Sequence, residues 1–295
     1  MTTSPLLTLN NGTKMPALGF GTLDRTSPER VTGAVEAAIA TGYRLIDTAA
    51  SYGVERQVGE GIRRGGIARS ELFVTTKLWI SDYGYERALA ACDISLRKLG
   101  LDYLDLYLLH WPVPSDFEAT VASFQATEKL LADGRVRAIG VANFSPKHLQ
   151  NLFQRTQVRP AVNQVELHPF FIQREMRDAD TFHGIVTQSW SPIGGVFLKK
   201  PTTQRGPLDH PCIAGIAAAY GKTPAQIVLR WHVQHGLSVI PKSLRRDRIA
   251  ENFDIFDFEL TAGDMAAIDA LDTGIRAGPD PDRVDTKMFS WKIED

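Results

Sequence analysis

Cysteine is almost missing: Cys92 and Cys212 are the only two in 295 residues, and they lie far apart. That excludes a densely disulfide-bonded secreted scaffold and a zinc site of paired cysteines, and it fits a reducing compartment. An excess of charge is missing too, since 33 Lys plus Arg face 34 Asp plus Glu for a formal net charge of −1. Without clustered surplus cations there is no electrostatic reason to expect nucleic acid or anionic membrane as a partner. No run reaches about 18 apolar residues free of charge, and the start MTTSPLLTLNNGTKMP carries neither the basic nor the long apolar part of a leader. The expectation is a soluble, cytoplasmic protein.

Familiar motifs are also absent. No Walker A loop, G-x-S-x-G elbow or H-E-x-x-H pair occurs. Gly59-Glu60-Gly61 falls inside a helical pattern and Gly19-Phe20-Gly21 lacks a third glycine, so a Rossmann dinucleotide loop is excluded. His232 and His235 stand three apart near a predicted helix end with no third ligand in view, and no metal is expected. His183 and His210 are read as loop residues.

What the chain does contain is alternation. Short β-rich apolar runs occur at Leu18 to Gly21, Arg44 to Asp47, Leu72 to Lys77, Leu104 to His110, Ala138 to Ala142, Ala161 to Glu166, Ile185 to Trp190 and Ser238 to Pro241. Segments of helical period lie between or after them, near 28–41, 55–64, 84–99, 117–132, 146–155, 174–182, 224–235 and 245–252. Ser27-Pro28, Ser145-Pro146 and Thr223-Pro224 each put a capping hydroxyl before a proline, a good start for a helix. Eight strands and eight helices predict an α/β fold, a closed (β/α)8 TIM barrel. LLTLNNGTKMPAL predicts an N-terminal β-hairpin cap with a type I′ turn at Asn11-Gly12, and an extra helix or loop is expected at the C-terminus. Gly194 to Pro211 and Thr273 to Asp285 read as long loops, and no linker divides the chain, so residues 1–295 are expected to form a single domain.

In such a barrel the residues just past each strand meet on one rim. Asp47 and Tyr52, Lys77, His110, Asn143, Gln164, Trp190 and Lys242 all occupy such positions. Each alone has an ordinary structural explanation: an Asp before a helix caps it, and a Lys after a strand is solvated. Their recurrence at equivalent places points to chemistry. A tyrosine ordinarily titrates near 10, too high for efficient proton exchange at neutrality. A close ammonium would lower it; Lys77 is the candidate, with Asp47 holding that ammonium and His110 bonding a substrate oxygen. This set can donate a proton to a carbonyl but cannot supply a hydride, so a redox reaction would need a nicotinamide cofactor.

GYRLIDTAASYGVERQVG, Gly42 to Gly59, resembles the first signature of the aldo-keto reductase superfamily. RAIGVANF at 137–144 agrees with a further family stretch in part and IPKSLRRDRIAEN at 240–252 almost fully, while HWP at 110–112 and VNQVELHP at 162–169 are also similar. The similarity spans roughly residues 6 to 272, and the nearest members in kind are bacterial proteins resembling diketogluconate reductases. The resemblance implies a barrel, generally monomeric, that reduces aldehydes, ketones or α-dicarbonyls to alcohols with NADPH. It makes Tyr52 the general acid and Asp47, Lys77 and His110 the rest of a tetrad.

By the same resemblance, Gly21, Thr22, Asp47, Asn143, Gln164 and Trp190 would meet the cofactor along the barrel mouth. Lys242, Ser243 and Arg248 would hold the adenosine 2′-phosphate, with Glu251 and Asn252 toward the adenine. Backbone donors at a helix start plus two cations suit a dianionic phosphate. Two departures stand out: Ala142 replaces the family's serine beside the asparagine, and Val54 replaces an asparagine. Leu23, Trp79 and Trp111 are expected to wall the substrate pocket, with Met288, Phe289 and Trp291 as further contributors from the tail; the short WPVPSD connection suggests an open site with broad tolerance. Two other readings remain: an NADPH-binding regulatory subunit with vestigial turnover, and a cofactor-free barrel isomerase or lyase using the same Lys and His.

Overall fold

The structure, a computed structural model, describes residues 4–194, 206–289 and 293. Strand β1 (Leu6–Thr8) pairs antiparallel with β2 (Lys14–Pro16), with Leu7 opposite Met15. The predicted hairpin is present, but its connection differs. A type I′ turn needs two left-handed residues, and only Gly12, at φ 84°, is left-handed. The chain instead makes a wider turn, with the Gly12 N–H on the Leu9 carbonyl at 2.8 Å and the Leu9 N–H on the Thr13 carbonyl at 2.9 Å. The reason lies in tertiary bonds: Asn10 Nδ2 donates to the Pro160 carbonyl at 2.9 Å and Asn11 Nδ2 to the Arg137 carbonyl at 2.8 Å. These lie just before two barrel strands, so the hairpin plugs the N-terminal end, and its Leu9 and Met15 pack among Leu45, Phe73, Leu106 and Leu108.

Eight parallel strands follow: β3 (Phe20–Gly21), β4 (Leu45–Asp47), β5 (Phe73–Leu78), β6 (Leu106–Leu109), β7 (Ile139–Ala142), β8 (Val162–Glu166), β9 (Val186–Trp190) and β10 (Ser238–Val239). Their order in space is their order in sequence. The ring closes because Leu18 bridges Val239 in parallel, the Val239 N–H donates to the Ala17 carbonyl at 2.7 Å, and the Gly21 N–H reaches the Pro241 carbonyl at 2.9 Å. This is the α/β (β/α)8 barrel the alternation predicts.

Helices α1 (Val31–Thr41), α2 (Glu55–Gly65), α3 (Tyr85–Leu99), α4 (Phe117–Ala132), α5 (Pro146–Phe153) and α6 (Arg174–Phe182) match expected segments. So do α8 (Pro224–Gln234) and α9 (Arg246–Phe253), and α10 (Ala262–Asp269) is the extra helix expected toward the C-terminus, whereas α7 (Pro211–Tyr220) lies where no helix is predicted. The sequence PCIAGIAAAY of α7 is apolar on every side, so it has no 3.6-residue stripe to read. Ser145 and Thr223 cap α5 and α8 as expected. Ser27 makes no cap bond; a short 3₁₀ turn, Pro28–Arg30, leads into α1, and the Asp24 carboxylate takes the Ser27 N–H at 2.7 Å instead. Helices α2 and α3 touch so closely at Gly59 that a Cβ there would lie 2.2 Å from the Leu99 carbonyl oxygen. Among the described residues no helix is long and apolar enough to cross a membrane.

Candidate active site

The polar ends of the strands converge as the barrel rule requires. Lys77 points inward from β5 and is fully buried, as is Asp47 at the end of β4. The Lys77 ammonium donates to Asp47 Oδ1 at 2.6 Å and to the Thr48 carbonyl at 2.8 Å, and lies 3.4 Å from the Tyr52 hydroxyl. Burial works against its charge, yet Asp47 and Tyr52 hold the amine above its ordinary range. Burial likewise pushes the Asp47 carboxyl up, with Lys77 opposing. A short 3₁₀ turn, Ala50–Tyr52, ending on left-handed Gly53 at φ 70°, delivers the phenol to the cation.

One expectation is overturned here. Burial raises the Tyr52 phenol by more than the Lys77 ammonium lowers it, and the Asp47 charge adds to the upward push. The net direction is up, so the hydroxyl keeps its proton across the neutral range. Burial, aided by the Lys77 and Arg25 charges, drives His110 well below its ordinary range, leaving a neutral imidazole. Its Nδ1 is 3.4 Å from Ser51 Oγ; in the tautomer where that hydroxyl donates, Nε2 carries the ring's N–H.

A polar layer supports the cluster. Gln164 Nε2 donates to Asp47 Oδ2 at 2.8 Å and to Gln188 Oε1 at 2.6 Å, and Gln188 Nε2 donates to Ser238 Oγ at 2.9 Å. Asn143 sits just past β7 with a left-handed φ of 65°, which turns its amide toward the mouth. There its Nδ2 donates to the His110 carbonyl at 3.0 Å, and its Oδ1 accepts from Trp190 Nε1 at 2.9 Å.

These groups open on a cavity of about 530 Å³. Its lining includes Tyr52 and His110, the expected Gly21, Thr22, Asp47, Asn143, Gln164, Trp190 and Lys242, and the expected Leu23, Trp79 and Trp111. Lys77 is not part of this lining and contacts two of its residues, Tyr52 and Asp47. Trp79 meets the His110 ring edge-on at 5.1 Å, and Phe289 from the tail packs 5.3 Å from Trp79 and 6.1 Å from Trp111. Met288 is exposed and outside this lining, and Trp291 lies outside the described residues.

Of the residues expected at the adenosine 2′-phosphate and adenine, only Lys242 lines the cavity. Arg248 stands exposed in the first turn of α9, Ser243 Oγ accepts the Arg245 N–H at 3.1 Å, Glu251 accepts from Thr223 Oγ1 at 2.9 Å, and Asn252 is buried. Lys242 links the two regions and is ion-paired with Asp24. Burial opposes that carboxylate, but Lys242 and the N–H groups of Ser27 and Thr26 hold it at about 2. Ala142 and Val54 are both buried, the latter at the N-cap of α2 where it offers no side-chain acceptor.

Sequence reading passed over Asp24, Arg25, Ser51, Ile193 and Pro279, all of which line the cavity. Asp24 and Arg25 follow the first strand and were findable by the strand-end rule. Pro279 comes from a loop that no pattern assigns to the mouth.

A closed barrel with a Tyr–Lys–Asp–His cluster under an aromatic-walled mouth is the architecture of a barrel enzyme with its chemistry at the C-terminal rim. The chain belongs to the aldo/keto reductase family, whose model matches residues 12–273. It is 54% identical to morphine 6-dehydrogenase of Pseudomonas putida over 291 residues, covering 97% of this chain and 98% of that protein. It is 47% identical to glyoxal reductase of Bacillus subtilis, covering 94% of this chain and 96% of that one. Among solved structures, an aldo-keto reductase of Bombyx mori in complex with NADP superposes with a TM-score of 0.87 at 36% identity, covering 95% and 96% of the two chains. The chain is thus an oxidoreductase of a family that reduces carbonyl groups.

Proposed function

We propose that this protein reduces the carbonyl of an aldehyde, ketone or α-dicarbonyl to an alcohol with NADPH, and that Tyr52 donates the proton. The observation that carries the reading is the buried Lys77 ammonium, 3.4 Å from a phenol that opens into the same cavity as His110. A substrate oxygen held between the Tyr52 hydroxyl and the His110 N–H would gain two donors as it becomes an alkoxide, and the phenol would give up its proton to it. The resulting phenolate would be stabilised by Lys77, whose charge Asp47 and the Thr48 carbonyl keep in place. The phenol is protonated, as a donor must be, and the Lys77 ammonium opposes the burial that makes that proton harder to give up.

NADPH would supply the hydride. The mouth fits such a group: Gly21, Asn143, Gln164 and Trp190 line one cavity, and at Gly21 a Cβ would crowd the Ile240 carbonyl oxygen at 3.0 Å. Asn143 and Gln164 would present amides to the carboxamide, Trp190 a flat face to the ring, and Gly21 and Thr22 backbone to the ribose and pyrophosphate. Lys242, Ser243 and Arg248 would take the 2′-phosphate, and Glu251 and Asn252 would lie toward the adenine. The hydroxyl lost at Ala142 is one neutral hydrogen bond, a penalty of about tenfold at most in affinity. The names glyoxal reductase and morphine 6-dehydrogenase describe a small dicarbonyl and a bulky ring alcohol as reactants of those relatives, which supports a tolerant apolar pocket. We also take residues 1–295 as one domain, since closure of Leu18 on Val239 leaves no subset of strands with a core of its own, and propose that it works as a monomer in the cytoplasm.

The test is Tyr52→Phe. NADPH binding, read by fluorescence, should persist while turnover of an aromatic aldehyde falls by about 10²- to 10⁴-fold, the range of a lost general acid. Undiminished turnover rejects the assignment, and absence of NADPH binding by the unaltered protein would favour a cofactor-free barrel enzyme.

A further inference from the structure

Glu166 ends β8, the kind of strand-end position from which Asp47 and His110 serve the cavity, yet its carboxylate turns to another task. It is 1% exposed and lies outside the cavity lining. Oε1 accepts the Ala277 N–H at 2.7 Å and Oε2 accepts the Gly278 N–H at 2.9 Å, while His168 Nε2 stands 3.1 Å from Oε1. Two consecutive backbone amides thus converge on one buried carboxylate. Burial favours the neutral acid, but His168 and the two N–H groups hold Glu166 below its ordinary range.

Those two amides belong to the C-terminal segment that crosses the barrel mouth. Pro279, the next residue, and Phe289 both line the cavity, and Phe289 packs on Trp79 and Trp111. The segment is tied at Thr273, whose N–H meets the Phe170 carbonyl at 3.0 Å, and again where Pro281 and Val284 are buried. Between those ties the Glu166 carboxylate bonds the backbone directly. A buried charge is costly without donors, so the carboxylate and the path of the segment depend on each other.

We propose that Glu166 is a positioning residue: by clamping the amides of Ala277 and Gly278 it sets the part of the wall made by the adjacent Pro279, and so decides which carbonyl substituents the cavity accepts. The claim about substituents rests on the carbonyl-reductase reading; the clamp itself does not. Gln at this position keeps the shape but has one acceptor oxygen, and its NH₂ would face a backbone N–H, so one bond and the charge are lost. Asp keeps the charge on a stem one methylene shorter.

The experiment compares the unaltered protein, Glu166→Gln and Glu166→Asp by amide hydrogen exchange and by steady-state kinetics with NADPH. In the unaltered protein the Ala277 and Gly278 amides should be protected; in Glu166→Gln their exchange should quicken by about tenfold or more, the value of one charge-assisted hydrogen bond. For 4-nitrobenzaldehyde the KM should rise by a similar factor with kcat within about twofold, while glyoxal, which has no substituent to meet the wall at Pro279, keeps its KM. Glu166→Asp should recover part of both changes. Unprotected amides in the unaltered protein overturn the clamp even if no variant folds. Equal losses on both carbonyls, or altered exchange with unaltered selectivity, overturn the positioning role. An unaltered protein that reduces neither carbonyl defeats the reductase reading and the selectivity claim with it, while the exchange result still judges the clamp.

Discussion

Lys77 has no solvent contact, and its charge survives because oxygens of Asp47, Thr48 and Tyr52 surround it. At this scale the sequence identifies groups but not the balance between them. Residue types and spacing place an ammonium beside a phenol, whereas the direction in which the phenol moves depends on how much water burial removes. That quantity belongs to the folded neighbourhood, and it reverses the expected direction for Tyr52. The phosphate cradle behaves differently. Arg248 is exposed, so its contribution is partly screened, and Arg248→Met should raise the KM for NADPH by about tenfold at low salt while changing that for NADH little. Steady-state kinetics with both cofactors checks this, and equal effects would remove Arg248 from the phosphate site.

Elements carry the next level of control. Helix α8 buries His232, whose Nδ1 lies 2.8 Å from the Val228 carbonyl, and burial lowers the ring to about 3 against an ordinary 6.5, with His168 and His235 adding a small push. Helix α6 buries Asp180 with Thr187 and Asn163 as its donors, and burial raises that carboxyl from 3.8 to about 7. The signs oppose. The histidine favours the folded state above pH 6.5 and loses that share as pH falls toward about 3; the aspartate favours it below 3.8 and loses its share as pH rises toward about 7. Between about pH 4 and 6.5 the two slopes, each about 1.4 kcal/mol per pH unit, nearly cancel. Urea unfolding across that window should show His232→Gln gaining relative stability on acidification and Asp180→Asn losing it. Parallel pH profiles for the two variants would contradict this.

For the whole molecule, the barrel separates stability from chemistry along its axis. The hairpin plugs one end with Leu9 and Met15, and the polar cluster occupies the other. Leu9→Ala should therefore cost about 2–5 kcal/mol in unfolding free energy while leaving NADPH affinity and turnover of the surviving folded protein within about twofold. Chemical denaturation paired with kinetics distinguishes this from a plug that supports the site, which would lower both. The same axis explains what could be read in advance. Strands such as Leu72 to Lys77 announce themselves by a short run of β-favouring residues, LFVTTK, and their polar last residues share one end because parallel strands share a direction. Helix α7 escapes because it is apolar all round, and the five-residue connection at Asn11-Gly12 escapes because its anchors, Arg137 and Pro160, are remote in sequence.

Alternating strand and helix patterns determined by themselves that the chain forms a barrel, and strand ends determined that Asp47, Tyr52, Lys77 and His110 meet. Local pattern suffices there because each strand carries its own period and direction. Only the tertiary structure decided that burial outweighs the Lys77 charge at the Tyr52 phenol, that Lys242 is shared with Asp24, and that Glu166 bonds the segment bearing Pro279. Each of these depends on what distant chain packs around a charge, and desolvation has no signature in any short stretch of sequence.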